Sequence, residues 1–322
     1  QLVQPRKFEM LDIPMPKLNS GVSEQILVRT KWVSLCGSDI AFFNGYKRYV
    51  NYPMLAGAPI HESVGEVIES QSNLFQPGDI VLAIPEHDQG LSEYYLAQAC
   101  KAVRLPPALA CCDDSCLIQP LSTVINAVNQ LGDLVGKSIA VVGLGSIGLF
   151  FCWLLKKRGA GFILGIDPIA YRCEIALKLG ATQTITKHSA EVVHNARYEA
   201  ETWKPLDICI EAVGHQTKTL NDCIDLVRKQ GTVLSFGVPD QPVYPIEYET
   251  FFRKNAILIA VVTPEWSDYL NRACELYQSC HEELAWLVTH RLPIKDAAKA
   301  FTLYENHAQN ILKVVLDASV WE

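Results

Sequence analysis

The 322-residue sequence lacks any apolar run long enough to cross a bilayer, and no segment has the pattern of a secretory signal peptide. It also lacks an Asn-x-Ser/Thr glycosylation site. Its eleven cysteines are an odd number scattered along the chain, which is typical of free thiols rather than of a disulfide framework. These absences predict a cytoplasmic protein with no membrane partner.

Basic residues are also outnumbered by acidic ones, since the chain has 28 lysines and arginines and 35 aspartates and glutamates, a net charge of −7. Nothing in that balance favours nucleic acid or an anionic surface, so we expect no nucleic-acid partner. The hydrophobic fraction of 49% is ordinary for a globular protein, and the length favours two domains.

The strongest local pattern lies at residues 139–148, which read Ile-Ala-Val-Val-Gly-Leu-Gly-Ser-Ile-Gly. A short buried strand leads into Gly-x-Gly-x-x-Gly, and a helical pattern follows. In a dinucleotide site, Gly143 permits the tight turn, Gly145 lets a pyrophosphate approach the backbone, and Gly148 lets the helix pack closely. The amides that open the helix then face the phosphates. The predicted phosphate-binding residues are Gly143, Gly145, Ser146, Ile147 and Gly148.

A second predicted strand, at residues 161–166, ends at Asp167, which lies 19 residues after Gly148. An acid at this distance accepts the adenosine ribose hydroxyls and repels a 2′-phosphate. Residues 168–170 contain no arginine or lysine to neutralise it. The pattern therefore predicts NAD rather than NADP, and the alternative is a structural α/β unit that binds no cofactor.

The remaining pattern predicts an α/β protein with two kinds of architecture. Short strands separated by turns, up to about residue 107, suggest a small β barrel or sandwich. Helices are expected at residues 108–117 and 121–131. Strands then alternate with helices, which predicts a doubly wound parallel sheet. A last strand at residues 310–316 is expected to return to the first domain.

A candidate metal site lies in the first part of the chain, where Cys36 is followed 25 residues later by His61 and then Glu62. Thiolate, imidazole and carboxylate together suit zinc. From the spacing alone, a buried core cysteine and a structural histidine remain alternatives. The cysteines at 111, 112 and 116 lack zinc spacing, so we expect them in the core of a helix.

Several motifs occur in a fixed order: Cys-Gly-Ser-Asp at 36–39, His-Glu at 61–62, Pro-Gly-Asp at 77–79, Leu-Ser-Glu-Tyr at 91–94, the glycine motif, and Thr-His-Arg-Leu-Pro-Ile at 289–294. The ordered set resembles the medium-chain dehydrogenase/reductase superfamily, in particular the zinc alcohol and polyol dehydrogenases. The resemblance implies a GroES-like β-rich catalytic domain (residues 1–122, completed by 264–322) split around a Rossmann dinucleotide-binding domain (residues 123–263). It also implies an active site in the cleft between them.

The resemblance implies roles for individual residues. Cys36 and His61 match the ligands of one catalytic zinc, and Glu62 matches a carboxylate that either ligates the metal or lies just behind it. Ser38 matches the hydroxyl that passes on the substrate proton. No cysteine occurs between residues 81 and 99, so the structural zinc lobe of larger members is not expected. Further cofactor contacts are implied at Arg172, Ala212, Val213, Gly237 and Val238, and a weaker one with the pyrophosphate at Lys313.

The sequence departs from the family pattern at two positions and leaves one loop ambiguous. Ile60 replaces the glycine expected before His-Glu, and Gln119 replaces a glutamate that polyol-type members place near the zinc. Glu86 and His87 are either substrate contacts or part of a solvated turn.

The sequence therefore predicts an NAD-dependent oxidoreductase that interconverts a secondary alcohol, of polyol, sugar or cyclitol type, with its ketone by zinc-assisted hydride transfer. A zinc-independent reductase of the same superfamily and a non-catalytic nucleotide-binding protein of this fold are the alternatives. The expected partners are a small alcohol or ketone and further copies of the chain, in a dimer or tetramer.

Overall fold

The computed structural model describes residues 1–46, 50–198 and 204–321. The strands in chain order are β1 (Leu2–Gln4), β2 (Lys7–Phe8), β3 (Gln25–Ser34), β4 (Glu62–Ser70), β5 (Ile80–Pro85), β6 (Tyr94–Arg104), β7 (Ser138–Val142), β8 (Phe162–Ile166), β9 (Gln183–Ile185), β10 (Leu206–Glu211), β11 (Val227–Ser235), β12 (Ile257–Ala260), β13 (Val288–Pro293) and β14 (Lys313–Asp317). The helices are α1 (Gly37–Phe43), α2 (Ile118–Asn129), α3 (Ser146–Lys157), α4 (Ala170–Lys178), α5 (Ser189–Tyr198), α6 (Thr217–Leu226), α7 (Tyr248–Lys254), α8 (Trp266–Leu284) and α9 (Ala297–Glu305). Short 3-10 turns lie at Glu86–Asp88, Asp113–Leu117, Ala285–Leu287, Ile294–Asp296 and Ala308–Asn310.

The chain divides into two compact units, one formed by Gln1–Ser122 with Pro264–Glu322 and the other by Thr123–Thr263. In the first, β-rich unit the strand order is β13-β14-β3-β4-β5-β6, and β6 also pairs with β3. Strands β3 to β6 therefore close on themselves through antiparallel pairs. Closure removes the free edges that an open sheet would expose.

The last strand of the chain completes the β-rich unit. Strand β14 runs antiparallel to β3, with Val315 opposite Ser34, and parallel to β13. The predicted return of this strand to the first domain is therefore correct. Its apolar residues Val314 and Leu316 join a buried cluster that includes Phe43 and Phe301.

The second unit contains a parallel sheet in the order β12-β11-β10-β7-β8-β9. The chain starts in the middle at β7, builds outward through β8 and β9, and then builds in the other direction through β10, β11 and β12. This confirms the predicted doubly wound parallel sheet. Ligands bind such sheets at the carboxyl ends of the strands, where the order reverses, which here is between β7 and β10.

The register aligns the carboxyl ends of four strands. Val142 lies opposite both Ile166 and Glu211, and Glu211 lies opposite Ser235. The residues that follow these strands therefore start from one edge of the sheet. They include the glycine motif, Asp167 and the loops at 212–214 and 236–238.

One predicted helix is wrong. Residues 107–111 form turns, and Asp113–Leu117 forms a 3-10 turn rather than an α-helix. The polar side chains explain the difference, because Ser115 Oγ donates to the carbonyl of Leu109 at 2.8 Å and aspartate and serine favour such local bonds over a helix. Cys116 is buried as expected, whereas Cys111 is exposed and Cys112 is half-buried.

All eleven cysteines lie among the described residues, and each is a free thiol. Within those same residues, no helix combines the length and apolar character that crossing a membrane requires.

We predict that Phe301→Ala lowers the free energy of unfolding by about 3–5 kcal/mol, because it leaves a cavity in a packed core. Phe301 is fully buried, and its ring centroid lies 5.0 Å from that of Phe43 and 5.2 Å from that of Phe8. Urea unfolding measures the change. Lys299→Ala, at an exposed position of the same helix, should shift stability by less than about 0.5 kcal/mol. Equal effects of the two substitutions would contradict this packing role for Phe301.

Candidate active site

Asp39 holds two of the predicted metal ligands in place. Its Oδ2 accepts a hydrogen bond from the Cys36 backbone amide at 2.8 Å, which fixes the start of α1. Its Oδ1 lies 3.2 Å from Nδ1 of His61. The carboxylate is almost fully buried, so neither contact is exposed to competing water. One side chain therefore positions both Cys36 and His61.

The electrostatics of His61 depend on this pairing. Burial alone lowers the pKa of His61, but the charge and hydrogen bond of Asp39, followed by contact with Cys36, raise that pKa well above its usual value. The contact through Nδ1 leaves Nε2 as the ring atom free to bind a ligand. A carboxylate on one ring nitrogen is the arrangement that commonly orients a histidine toward a metal on the other.

Glu62 is the first residue of β4 and is fully buried beside a buried lysine. Lys313 Nζ lies 2.7 Å from Glu62 Oε1 and 2.6 Å from Oε2, and Ser34 Oγ donates to Oε2. Burial alone lowers the pKa of Lys313, but the neighbouring Glu62 charge raises it above its usual value. The structure therefore places Lys313 against Glu62, within the β-rich unit.

The three predicted ligands fit a metal ion. One ligand atom each from Cys36, His61 and Glu62 lies within 4.8 Å of the other two. Zinc binds sulfur at about 2.3 Å and nitrogen or oxygen at about 2.0–2.2 Å, so a modest side-chain movement brings all three into range. Glu62 retains lone pairs beyond those used by Lys313 and Ser34. The donor set of thiolate, imidazole and carboxylate is one that zinc favours.

The departures from the family pattern have local explanations. Ile60 is fully buried and is not among the residues with positive φ, so the loop does not need a glycine there. A positive φ occurs instead at Gly57 (φ 87°). Ser38 is half-buried in the first turn of α1, two residues after Cys36, and Gln119 is buried near the start of α2.

Glu86 is held by amides of its own unit. Its carboxylate accepts hydrogen bonds from Nε2 of Gln25 at 3.0 Å and from Nε2 of Gln98 at 2.5 Å. His87 is exposed in the same 3-10 turn. These contacts favour the reading of this segment as a polar turn, with Glu86 in a structural role.

The glycines of the motif in the second unit differ in their surroundings. Gly143 has φ +90°, which a side chain would strain, and a Cβ at Gly148 would lie 1.9 Å from the Gly143 carbonyl oxygen. A Cβ at Gly145 would meet no protein atom within 4 Å. Gly145 precedes α3, whose first turn includes Ser146 and Ile147. The first and last glycines are therefore required by the fold, whereas the middle one leaves space beside the helix start.

Asp167 is buried, and both of its carboxylate oxygens accept hydrogen bonds from backbone amides. Its Oδ2 accepts from the Leu144 amide and its Oδ1 from the Ile169 amide, both at 2.8 Å. Arg172 Nη1 lies 3.6 Å from Oδ2. Residues 168–170 contain no arginine or lysine, as expected, but Arg172 in the first turn of α4 reaches back to this carboxylate. Asp167 also ties the glycine loop to the end of β8.

Glu211 organises the loops after β10 and β11. Its Oε1 accepts from the amides of Val213 and Gly214, both at 3.0 Å, and from Thr219 Oγ1 at 2.9 Å. The amide of Gly237 donates to the Glu211 carbonyl at 3.1 Å. The predicted contacts Ala212, Val213, Gly237 and Val238 thus lie on two loops joined by one buried residue.

Sequence reasoning missed the importance of two of these groups. It placed Lys313 at a pyrophosphate, and it treated Glu211 as the end of a strand. A lysine inside an otherwise apolar strand pattern (Lys-Val-Val-Leu) was the available signal, because a fully buried lysine needs a paired charge.

Comparison with known proteins agrees with this geometry. Residues 22–109 match the family "Alcohol dehydrogenase GroES-like domain", and residues 146–278 match the family "Zinc-binding dehydrogenase". An L-threonine 3-dehydrogenase of Caldanaerobacter subterraneus subsp. tengcongensis is 27% identical over 92% of each chain. A sorbitol dehydrogenase of Gallus gallus is 28% identical over 92% of this chain and 89% of its own.

Among solved structures, an alcohol dehydrogenase from Thermus sp. ATN1 superimposes with a TM-score of 0.83 at 25% identity, over 98% of each chain. The two matched domains, the closed β-rich unit, the doubly wound sheet and the Cys-His-Glu cluster all agree with the resemblance drawn from the ordered motifs. The chain belongs to the medium-chain dehydrogenase/reductase superfamily, among its zinc-type alcohol and polyol dehydrogenases.

Proposed function

We propose that this chain is an NAD-dependent dehydrogenase that interconverts a secondary alcohol bearing further polar groups, such as a polyol, sugar alcohol or cyclitol, with its ketone. The observation that carries the proposal is the Cys36–His61–Glu62 cluster, found in a chain that also has a dinucleotide-type parallel sheet. Relatives named for threonine, sorbitol and xylulose support a polar, hydroxylated substrate. The domain boundaries that we propose, 1–122 with 264–322 and 123–263, coincide with the two compact units.

In this proposal each residue of the β-rich unit has a distinct task. Cys36, His61 and Glu62 hold one catalytic zinc, and Asp39 fixes the ring orientation of His61. When bound, zinc supplies a Lewis acid that polarises the substrate oxygen, and the nicotinamide exchanges the hydride. The Ser38 hydroxyl accepts the proton that the alcohol loses and passes its own hydroxyl proton outward to water.

We propose that the second unit binds NAD through Gly143, Gly145, Ser146, Ile147 and Gly148 at the phosphates. Asp167 and Arg172 contact the adenosine ribose. The nicotinamide ribose is contacted by Ala212, Val213, Gly237 and Val238. The alignment of strand ends at one edge of the sheet supports this assignment. The Asp167 carboxylate would oppose a 2′-phosphate, although Arg172 reduces that repulsion.

We also propose a homodimer or a larger oligomer built on the exposed edge of this sheet. β12 is an edge strand whose first residue, Ile257, is 55% exposed, and the preceding helix α7 exposes Phe252 by 66% and Tyr248 by 68%. An apolar strand edge is a template for pairing with a second copy.

A substrate and cofactor screen tests the function. We expect NAD⁺-dependent oxidation of polyols or sugar alcohols, and tighter binding of NADH than of NADPH. Repulsion between the Asp167 carboxylate and the 2′-phosphate of NADPH favours NADH over NADPH by about tenfold to a hundredfold. Because Arg172 reduces this repulsion, we expect a difference near the lower value, about tenfold. Equal NADPH binding, or rates that rise along a series of n-alkanols with polyols inert, would contradict the proposal. Nicotinamide binding without turnover of any alcohol would favour the non-catalytic alternative.

Cys36→Ser tests the catalytic metal. We expect the zinc content per chain to fall by one equivalent and kcat/KM to become undetectable, because the soft ligand is lost. Elemental analysis and a steady-state assay measure the two effects. Cys100→Ser, at an exposed thiol of β6, is the matched control and should change neither. A Cys36→Ser enzyme with full activity and unchanged metal content would move the chain to the zinc-independent branch.

A pair of glycine substitutions tests the phosphate site. Gly148→Ala should lower the free energy of unfolding by about 1–3 kcal/mol, because its Cβ clashes with the Gly143 carbonyl. Gly145→Ala should leave stability within about 0.5 kcal/mol, because its Cβ meets open space. The second variant should nevertheless weaken NADH binding by about tenfold or more, or about 1.4 kcal/mol, measured by fluorescence titration. Unchanged NADH affinity in Gly145→Ala would exclude this loop as the phosphate site.

A further inference from the structure

A second cluster of metal-binding side chains lies in the β-rich unit. Cys112 directly precedes the 3-10 turn Asp113–Leu117, Asp114 lies within that turn, and His281 lies near the end of α8. One ligand atom from each lies within 4.8 Å of the other two. The cluster shares no residue with Cys36, His61 and Glu62.

Asp114 brings a buried carboxylate with spare capacity to this cluster. It is only 4% exposed, and its Oδ1 has no hydrogen-bond partner among the described residues. Its Oδ2 lies 2.8 Å from His281 Nε2, yet that nitrogen makes no hydrogen bond of normal geometry in the same part of the chain. Buried polar atoms are rarely left without a hydrogen bond, and a bound ion is one of the few arrangements that accounts for such atoms.

The neighbouring acid has a different role. Asp113 forms a two-pronged ion pair with Arg291, at 2.5 Å from Nε to Oδ2 and 3.0 Å from Nη2 to Oδ1. Arg291 therefore neutralises Asp113. The Asp114 carboxylate instead contacts His281 and the hydroxyl of Tyr277.

The remaining side chains support a fixed geometry. The fully buried Tyr277 ring packs edge-on against the His281 ring, with centroids 5.4 Å apart. The backbone of α8 departs from helical geometry at Cys280 (φ −130°, ψ 20°), directly before His281. The Cys112 thiol donates weakly to the Ala108 carbonyl at 3.3 Å, a contact that a metal bond can replace.

We propose that Cys112, Asp114 and His281 form a second zinc site, with a water in the fourth position. Zinc takes thiolate, imidazole and carboxylate in a tetrahedron whose edges are about 3.3–3.6 Å. Drawing Cys112 inward and widening the Asp114–His281 separation brings the cluster to those edges. The bound ion would join the turn that follows β6 to helix α8, two segments of one unit that lie 167 residues apart in the chain between Asp114 and His281.

The test uses the full-length Cys36→Ser protein, so that the proposed catalytic zinc does not contribute. After metal is removed with a chelator, the protein is titrated with Co²⁺ and then with Zn²⁺. We expect one equivalent of Co²⁺ per chain, with the intense absorption of a thiolate bound to cobalt, and displacement of the cobalt by Zn²⁺. We also expect Zn²⁺ to raise the melting temperature, because it binds the folded state.

Matched variants identify the ligands. Adding Cys112→Ser or His281→Gln to the Cys36→Ser protein should weaken Co²⁺ binding by more than about a hundredfold, because even losing a group that only hydrogen-bonds to a ligand costs about 10–100-fold. Adding Cys111→Ser, at the exposed neighbouring thiol, should change nothing. Circular dichroism of the metal-free variants checks that they are folded.

Two results would overturn the proposal. One is a Cys36→Ser protein that binds no Co²⁺, and the other is a thiolate–cobalt band that survives in the Cys112→Ser double variant. Neither depends on catalysis, so the second site stands or falls separately from the proposed activity.

Discussion

The buried ion pair between Glu62 and Lys313 is the interaction on which the candidate active site depends. It links three strands, because Glu62 begins β4, Lys313 begins β14, and Ser34 at the end of β3 donates to the same carboxylate. Removing one partner of such a pair costs about 3–5 kcal/mol, because the remaining charge is buried alone. The Glu62 charge in turn raises the pKa of Lys313 against the opposing effect of burial. Strand β14 therefore supplies the partner that holds Glu62 in place, whereas the other residues of the candidate site come from the first 62 residues of the chain.

The parts that could be predicted are those carried by contiguous patterns. The glycine motif, the acid after β8 and the alternation of strands with helices each follow from local periodicity and turn chemistry. Parallel pairing then brings the strand ends to one edge without any further information. The spacing of Cys36 and His61 allowed a metal site but left core alternatives open, and the ordered set of motifs favoured one metal centre.

The parts that could not be predicted are the partners of buried polar groups. Glu62 pairs with Lys313 across 251 residues, Glu86 with Gln25 and Gln98, and Asp114 with His281. Such contacts follow no period, because they depend on which strands and helices become neighbours. Cys112 was predicted to be a core residue for the same reason. Of the two side chains that could bind a metal with it, Asp114 follows it in the same turn, but His281 lies on a helix far along the chain.

The buried carboxylates differ in function because their partners differ. Asp167 and Glu211 accept hydrogen bonds from backbone amides, and these bonds hold the loops at the edge of the sheet in place. Glu62 faces the ammonium group of Lys313 and keeps lone pairs beyond those that Lys313 and Ser34 use. Asp114 faces an imidazole and has one oxygen without a hydrogen bond. Glu62 and Asp114 each lie near a cysteine thiol and a histidine ring, so both clusters offer the sulfur, nitrogen and oxygen ligands that zinc binds.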